Sequence, residues 1–376
     1  MTAPAAPDRP PLFVPVGDND ARPFGMSARA RAEALAVQAG MEPAEAADPT
    51  RATLYGDLDF MWDPAWNAAL VSRPGAVLVK DGRAVLAHLT PGADATALLT
   101  AMRSDAPYEG ALDRIDADEA ELSYKELRKR ERPFVMLLTR DSCEAAERAA
   151  YDASYKGVTD LLTLHMWRRP AFHLTRWAAE AGLKPNFVTL VGALLCVATF
   201  FLWLWGFYWL GIATGFGFMV LDTVDGKLAR CTGQSSKWGN FFDHGVDLLH
   251  PPFWWWAWAE GLKTIGVPLE RVYELLVIGA IIAGYVAQRI IEGIFLARFR
   301  MDIHVWRPVD SRFRLITARR NPNMLILLVS LLLGRPDAGL QAVALWTILS
   351  LIFHAVRLAQ ANDRRRRGRE IHSWLA

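Results

Sequence analysis

Four aspartates carry the most chemistry this sequence can offer. Asp222 and Asp225 stand three apart and lead into Gly226, Ala229 and Arg230, while Gly239, Asp243 and Asp247 follow at intervals of four. Spacings of three and four put side chains on one face of a helix. The first group therefore forms one stripe and the second another, and the short polar stretch Cys231 to Lys237 lets the two helices run antiparallel with these stripes facing. Converging carboxylates repel one another unless something positive sits between them, and an all-oxygen donor set suits hard divalent cations such as Mg²⁺ or Mn²⁺. The three cysteines, Cys143, Cys196 and Cys231, have no metal-type spacing and offer no softer alternative. Gly226, Ala229 and Gly239 are small, which permits close helix approach and leaves room for a phosphate.

Apolar helices must hold these stripes. Of 376 residues, 52% are apolar, yet the long apolar runs begin only after residue 185, so the break in composition there is the main boundary. A helix needs about twenty apolar residues to cross a bilayer. Candidates run from Phe187 to Trp205, Phe207 toward Arg230, Trp238 to Leu262, Leu275 to Leu296, Met324 to Leu333 with its flanks, and Ala342 to Leu358. That predicts about six spans. Acidic pairs decorate many solvated helices, but within a membrane segment each costs about 2.5–3.5 kcal/mol at the centre, which favours a functional reading. Arginines crowd between the fourth and fifth spans and again at Arg364 to Arg367, placing both segments, both termini and the carboxylates on the cytoplasmic side. The membrane expected is the inner or plasma membrane of a bacterium.

Residues 1–155 read as a soluble α/β domain. Leu12 to Val16 is a strand, Ser27 to Gly40 a helix closed by glycine, and Ala76 to Leu86 a hairpin turning at Asp81-Gly82, with Phe134 to Leu138 a further buried strand. Residues 156–184 form a linker in which Trp167, Phe172, Leu174 and Trp177 alternate with Arg168, Arg169, His173 and Arg176, as in a helix lying at a membrane interface. The membrane domain then spans 185–362, and 363–376 is a basic tail. A net charge of only +2 says little about partners. No apolar signal-type segment opens the chain, and the sparse cysteines fit a reducing compartment.

The full pattern from Asp222 to Asp247, D-x2-D-G-x2-A-R-x8-G-x3-D-x3-D, together with Pro185-Asn186-Phe187-Val188-Thr189, resembles the signature of the class I CDP-alcohol phosphatidyltransferase family from about Lys156 onward. The resemblance implies transfer of a phosphoalcohol from a CDP-activated donor, CDP-diacylglycerol or another CDP-alcohol, to a hydroxyl acceptor with release of CMP, in phospholipid or related polar-lipid synthesis. It implies that Asp222, Asp225 and Asp243 hold two divalent cations, Mg²⁺ or Mn²⁺, and that Asp247 ligates one of them and serves as general base. Asn186, Thr189, Gly226, Ala229, Arg230 and Gly239 would line the CDP site, and the family is commonly dimeric. Some relatives carry a sugar-phosphate nucleotidyltransferase domain ahead of this one. Here the glycine-rich phosphate loop is missing, since Val16-Gly17-Asp18-Asn19-Asp20 does not match it, so the N-terminal domain is expected to be a degenerate relative.

Other features divide between function and bland structure. Arg289 with Glu292 is either an acceptor-binding group or an ion pair, and Arg312, Arg314, Arg319 and Arg320 either bind an acidic acceptor or mark the cytoplasmic side. Trp254-Trp255-Trp256 and Trp258 read as an interfacial belt, and the basic run Lys125 to Arg132 as a solvated helix face. Two rival functions stand beside the main one: a bifunctional enzyme whose N-terminal domain makes the CDP-linked substrate, and a membrane cation-binding or transport protein. The second needs polar groups through the membrane depth, whereas these cluster at one end. Neither donor nor acceptor can be read from the residues.

Overall fold

A computed structural model describes residues 9–375 except Asp105, Lys125, Glu126 and Ser236, without the side chains of Tyr124, Lys237, Trp238, Asn240, Asp243 and His244. A sheet-containing α/β region precedes a helical one. The strands are β1 (Leu12–Val16), β2 (Glu42–Pro43), β3 (Thr53–Asp57), β4 (Phe60–Trp62), β5 (Ala76–Lys80), β6 (Arg83–Leu89), β7 (Asp113–Asp116), β8 (Leu122–Tyr124), β9 (Lys129–Glu131) and β10 (Val135–Leu137). Six of them form a mixed sheet in the order β2-β1-β3-β6-β5-β7. Asp81 and Gly82 both take positive φ (50° and 82°) between β5 and β6, the conformation a tight two-residue hairpin demands. Helix α1 (Ala28–Gln38) starts where the Ser27 hydroxyl accepts the Ala30 N–H at 3.2 Å, and it gives way to a left-handed Gly40.

Two expectations for this region change. The strand at Val135–Leu137 pairs with β4 in a separate two-stranded ribbon and leaves Leu137 exposed. Of the basic run, Lys125 and Glu126 lie outside the described residues and the rest is no helix face: Lys129–Glu131 is β9, paired antiparallel with β8, and Lys129 is buried there against Glu131 and the Ala153 carbonyl.

The remaining helices are α2 (Ala65–Val71), α3 (Thr96–Met102), α4 (Cys143–Ala153), α5 (Arg168–Glu180), α6 (Pro185–Leu204), α7 (Tyr208–Thr232), α8 (Lys237–Thr264), α9 (Arg271–Phe299), α10 (Pro308–Arg314), α11 (Arg320–Leu332) and α12 (Pro336–Arg366). Each of the six apolar runs is a helix. Among the described residues, three of them, α6, α9 and α12, are long and apolar enough to cross a membrane. Helices α7 and α8 carry the charged motif within their length, and α11 has 13 residues. Helix α12 runs on through the basic residues Arg364–Arg366.

The tryptophan run is not a belt. Trp254, Trp255 and Trp258 are each at most 1% exposed and pack around Trp203 of α6, with ring centroids 4.9–6.4 Å apart. Trp254 and Trp258, four apart, share one helix face, Trp255 flanks it, and this side of α8 points into the helix bundle. Trp256, on the other side, is 40% exposed.

The sheet region is docked onto the end of α7. The buried Arg31 of α1 donates from Nε to the Cys231 carbonyl at 2.9 Å, satisfying a last-turn oxygen of α7. Gly233 closes α7 at φ 72°, and a Cβ there would stand 2.8 Å from the Ala34 Cβ of α1. Helix α5 buries Ala171, Phe172, Thr175 and Ala178 and leaves Leu174 and Trp177 outside. Phe172 thus belongs to the protein interior, and the outward apolar face is narrower than the sequence pattern suggests.

Candidate active site

Where α7, α8, α9 and α11 converge, a cavity of about 460 Å³ opens. Helix α7 contributes Asp222, Thr223, Lys227 and Arg230, and α8 contributes Asp247, Leu248 and Pro251. Tyr285 and Arg289 come from α9, and Arg314, Arg319, Arg320 and Asn321 from the end of α10 and the start of α11. The last wall is supplied from before the helical region, by Arg128 and by residues between Tyr155 and Thr163.

One guanidinium joins the two motif helices. Arg320, at the first turn of α11, donates from Nη2 to Asp222 Oδ2 at 2.7 Å and from Nη1 to Asp247 Oδ1 at 2.5 Å. Asp222 and Asp247, one from each stripe, therefore meet at a positive charge. Asp225, 4% exposed, lies beside them; its Oδ2 accepts the Thr189 hydroxyl at 2.6 Å and its Oδ1 accepts the Gly226 N–H. Thr189 is thus tied directly to a motif carboxylate. A Cβ on Gly226 would stand 3.1 Å from Arg230 Nη2, so glycine leaves space for that guanidinium. Ala229 and Gly239 are half-buried on α7 and α8, and Asn186 is exposed at the start of α6. Asp243 lies in α8, but its side chain is outside the described residues. The donors described here are all carboxylate oxygens, from two helices and within reach of a single cationic group. Hard cations fit such a set.

A second charged cluster lies beyond the same cavity. Glu292 accepts from Arg289 at 2.7 Å and from Arg319 at 2.7 Å on both oxygens, with His304 Nε2 at 3.2 Å. Glu292, His304 and His354 place potential ligand atoms within 4.8 Å of one another. A divalent ion there would face two guanidinium groups at close range, and the single carboxylate is already paired. This cluster anchors Arg289 and Arg319 at the cavity wall. Arg289 and Glu292 thus form an ion pair, and the arginine lines the cavity. Arg312 does not. It is exposed on α10, and Arg314, two residues on, reaches the cavity in its place.

Sequence reasoning offered Arg320 only as an acceptor-binding group or a marker of the cytoplasmic side, not as the partner of the motif carboxylates, and it passed over Lys227, Asn321 and the segment around Asp160. Lys227 is 3% exposed and sits 3.0 Å from the ring centroid of Tyr155, a cation–π contact between the motif helix and the preceding region. The available signal was the need for a counter-charge. Arg319-Arg320 opens a helix otherwise free of charge, which is an expensive place for arginine without an acidic partner.

Residues 183–359 match the family model described as CDP-alcohol phosphatidyltransferase, beginning after the sheet region. The chain is 27% identical over 198 residues to the archaetidylinositol phosphate synthase of Pyrococcus horikoshii, which spans 52% of this chain and 93% of that protein. It is 28% identical over 108 residues to an uncharacterized class-I family protein 3 of Dictyostelium discoideum, covering 25% of this chain and 27% of that one. Among solved structures, the Mycobacterium tuberculosis phosphatidylinositol phosphate synthase with CDP-DAG bound is similar over 50% of this chain and 94% of its own. The TM-score is 0.37 and the identity 17%, too distant to carry geometry across.

Proposed function

We propose that this chain acts as a member of the CDP-alcohol phosphatidyltransferase family, whose model matches residues 183–359, and that its transfer reaction takes place at Asp222, Asp225, Asp243 and Asp247. The chain is a transferase that moves a phosphoalcohol group from a CDP-activated donor to a hydroxyl acceptor and releases CMP. The family is generally dependent on divalent cations. The observation that carries the reading is the meeting of Asp222 and Asp247, from two helices, at one guanidinium inside a cavity.

Divalent cations held by these carboxylates would offset charge on the pyrophosphate and on the departing CMP. The chain's own groups do the rest. Asp247, on the cavity wall, accepts the proton of the acceptor hydroxyl as its oxygen attacks the phosphorus bearing the alcohol. The bond from that phosphorus to the CMP oxygen breaks, so one phosphoester forms as the pyrophosphate link is lost. Arg230, beside Gly226, faces the nucleotide side, and Asn186, Thr189, Ala229 and Gly239 complete the CDP site. Arg289, Arg314 and Arg319 give the opposite wall a positive surface, which suits an acceptor that carries its own phosphate. A CDP-linked lipid as donor and a phosphorylated polyol as acceptor satisfy both walls. Six helices cross the bilayer with the carboxylates at its cytoplasmic face, and the exposed Leu174 and Trp177 of α5 lie at the interface.

The test is CMP release by purified protein from CDP-diacylglycerol, with inositol phosphate or glycerol phosphate compared against the unphosphorylated alcohols. Turnover is expected only with Mg²⁺, Mn²⁺ or a similar ion and only with phosphorylated acceptors. Full turnover in excess chelator would remove the metal assignment, and equal use of unphosphorylated acceptors would remove the acceptor assignment.

A further inference from the structure

The segment joining the sheet region to the helices reaches the reacting carboxylates through a chain of three side chains, Asp160, Asn321 and Arg320. Asp160 is 6% exposed and Asn321 is 7% exposed, and both line the cavity. Asn321 Nδ2 donates to Asp160 Oδ1 at 2.9 Å and to Thr163 Oγ1 at 3.1 Å. Asp160 is fixed in turn, since it accepts the Thr163 N–H at 3.0 Å and the Thr163 hydroxyl at 2.8 Å. The Leu161 N–H donates to the Leu315 carbonyl at 2.9 Å, pinning the backbone on the same side.

The chemistry of Asp160 decides which way the Asn321 amide points. An ionised carboxylate only accepts hydrogen bonds, so the NH₂ of Asn321 must turn toward it and the carbonyl oxygen must turn away. That oxygen accepts Arg320 Nε at 3.1 Å. With Nε held on one side, the two remaining nitrogens of the planar guanidinium are directed to Asp222 and Asp247.

We infer that Asp160, acting through Asn321, is a positioning residue for the Arg320 guanidinium and thereby for the two catalytic carboxylates, which makes the linker before the family domain a working part of the active site. The inference rests on the proposed reading of Asp222 and Asp247. Arg320 and a divalent cation both draw on the same carboxylates, and like charges at short range oppose each other. Freeing or removing the guanidinium therefore has two opposite consequences: cations bind more tightly, and turnover slows because Asp222 and Asp247 lose their fixed orientation.

A double-mutant cycle in the full-length protein tests this. Mn²⁺ affinity is read by electron paramagnetic resonance and CMP release by single-turnover assay, in wild type, Asp160→Ala, Arg320→Gln and the double variant. The expected result is Mn²⁺ binding tightened about threefold by Asp160→Ala and more by Arg320→Gln, with slower turnover in both. In the Arg320→Gln background the Asp160 change should add little, because residues in one hydrogen-bond network are not additive. Weaker Mn²⁺ binding in Asp160→Ala, or effects that multiply in the double variant, would overturn the inference and leave Asp160 a merely structural residue. Asp160→Asn keeps the side chain's size and carries the same cycle if the alanine variant does not fold. The Mn²⁺ arm needs no substrate, so failure of the proposed reaction and failure of the strut register separately.

Discussion

Two partly buried charge clusters border one cavity, and they differ in sign. Around Arg320 stand Asp222 and Asp247, with Asp225 alongside, so carboxylates outnumber cations. Around Glu292 stand Arg289 and Arg319, so cations outnumber carboxylates. Each cluster is internally paired, as buried charges must be, but neither is neutral. The residual sign shows what each can still bind: the first suits metal cations, the second phosphate. Pairing alone does not identify a functional site, since both clusters are paired. The excess does.

The comparison breaks most sharply at its acidic half. Asp247→Asn removes the proposed proton acceptor and is expected to lower turnover by about 10²–10⁴, with little recovery at high metal concentration. Asp222→Asn removes a ligand charge, and part of its lost rate should return as Mg²⁺ is raised. CMP release measured across a metal titration separates the two. Equal recovery would mean Asp247 is only a ligand. Asp302→Asn, outside the motif in a half-buried pair with Arg128, should stay active as the control.

The basic half should fail through stability first. Glu292→Gln leaves two partly buried guanidinium groups without their carboxylate, and breaking such a pair typically costs about 3–5 kcal/mol. Thermal unfolding in detergent should show a large fall in Tm. Arg289→Gln keeps Arg319 on Glu292, so it should cost less stability and instead raise KM for a phosphorylated acceptor about tenfold, a change of about 1.4 kcal/mol in binding. An unchanged KM would make the cluster an anchor with no part in acceptor recognition.

The smallest effect lies far from both clusters and tests whether the same logic holds in the sheet region. Asp57 on β3 is buried, with Arg83 only at 3.5 Å, and burial pushes its carboxyl up from 3.8 to about 6. A raised acid binds more protons folded than unfolded. Its contribution to stability is therefore present at low pH and lost as pH rises from about 4 to about 6. The Tm of Asp57→Asn relative to wild type should rise across that window. A constant difference would mean Asp57 ionises normally.

Much of the site was legible in the residues. Intervals of three and four put Asp222 with Asp225 and Gly239 with Asp247 on helix faces, and these are local regularities that any helix enforces. The hairpin at Asp81-Gly82 was equally local, because the turn demands positive φ and those residues supply it. Misreadings came where identical composition has two uses. Tryptophans near a helix end pack at a membrane surface or inside a bundle, and packing against Trp203 of α6, with Tyr208 and Phe218 of α7, made Trp254, Trp255 and Trp258 interior. A basic run covers a helix or a hairpin alike, and pairing of β8 with β9 decided for the hairpin.

By itself, then, the sequence determined the apolar helices, the two acidic stripes and the chemistry they invite, since spacing and residue type act within one element. Only the tertiary structure decided what faces those stripes. Arg320 lies 73 positions from Asp247 and 98 from Asp222, and Asn321 lies 161 from Asp160. No periodicity spans such separations. They are fixed because a buried carboxylate without a donor, or a buried guanidinium without an acceptor, is too costly to leave in place.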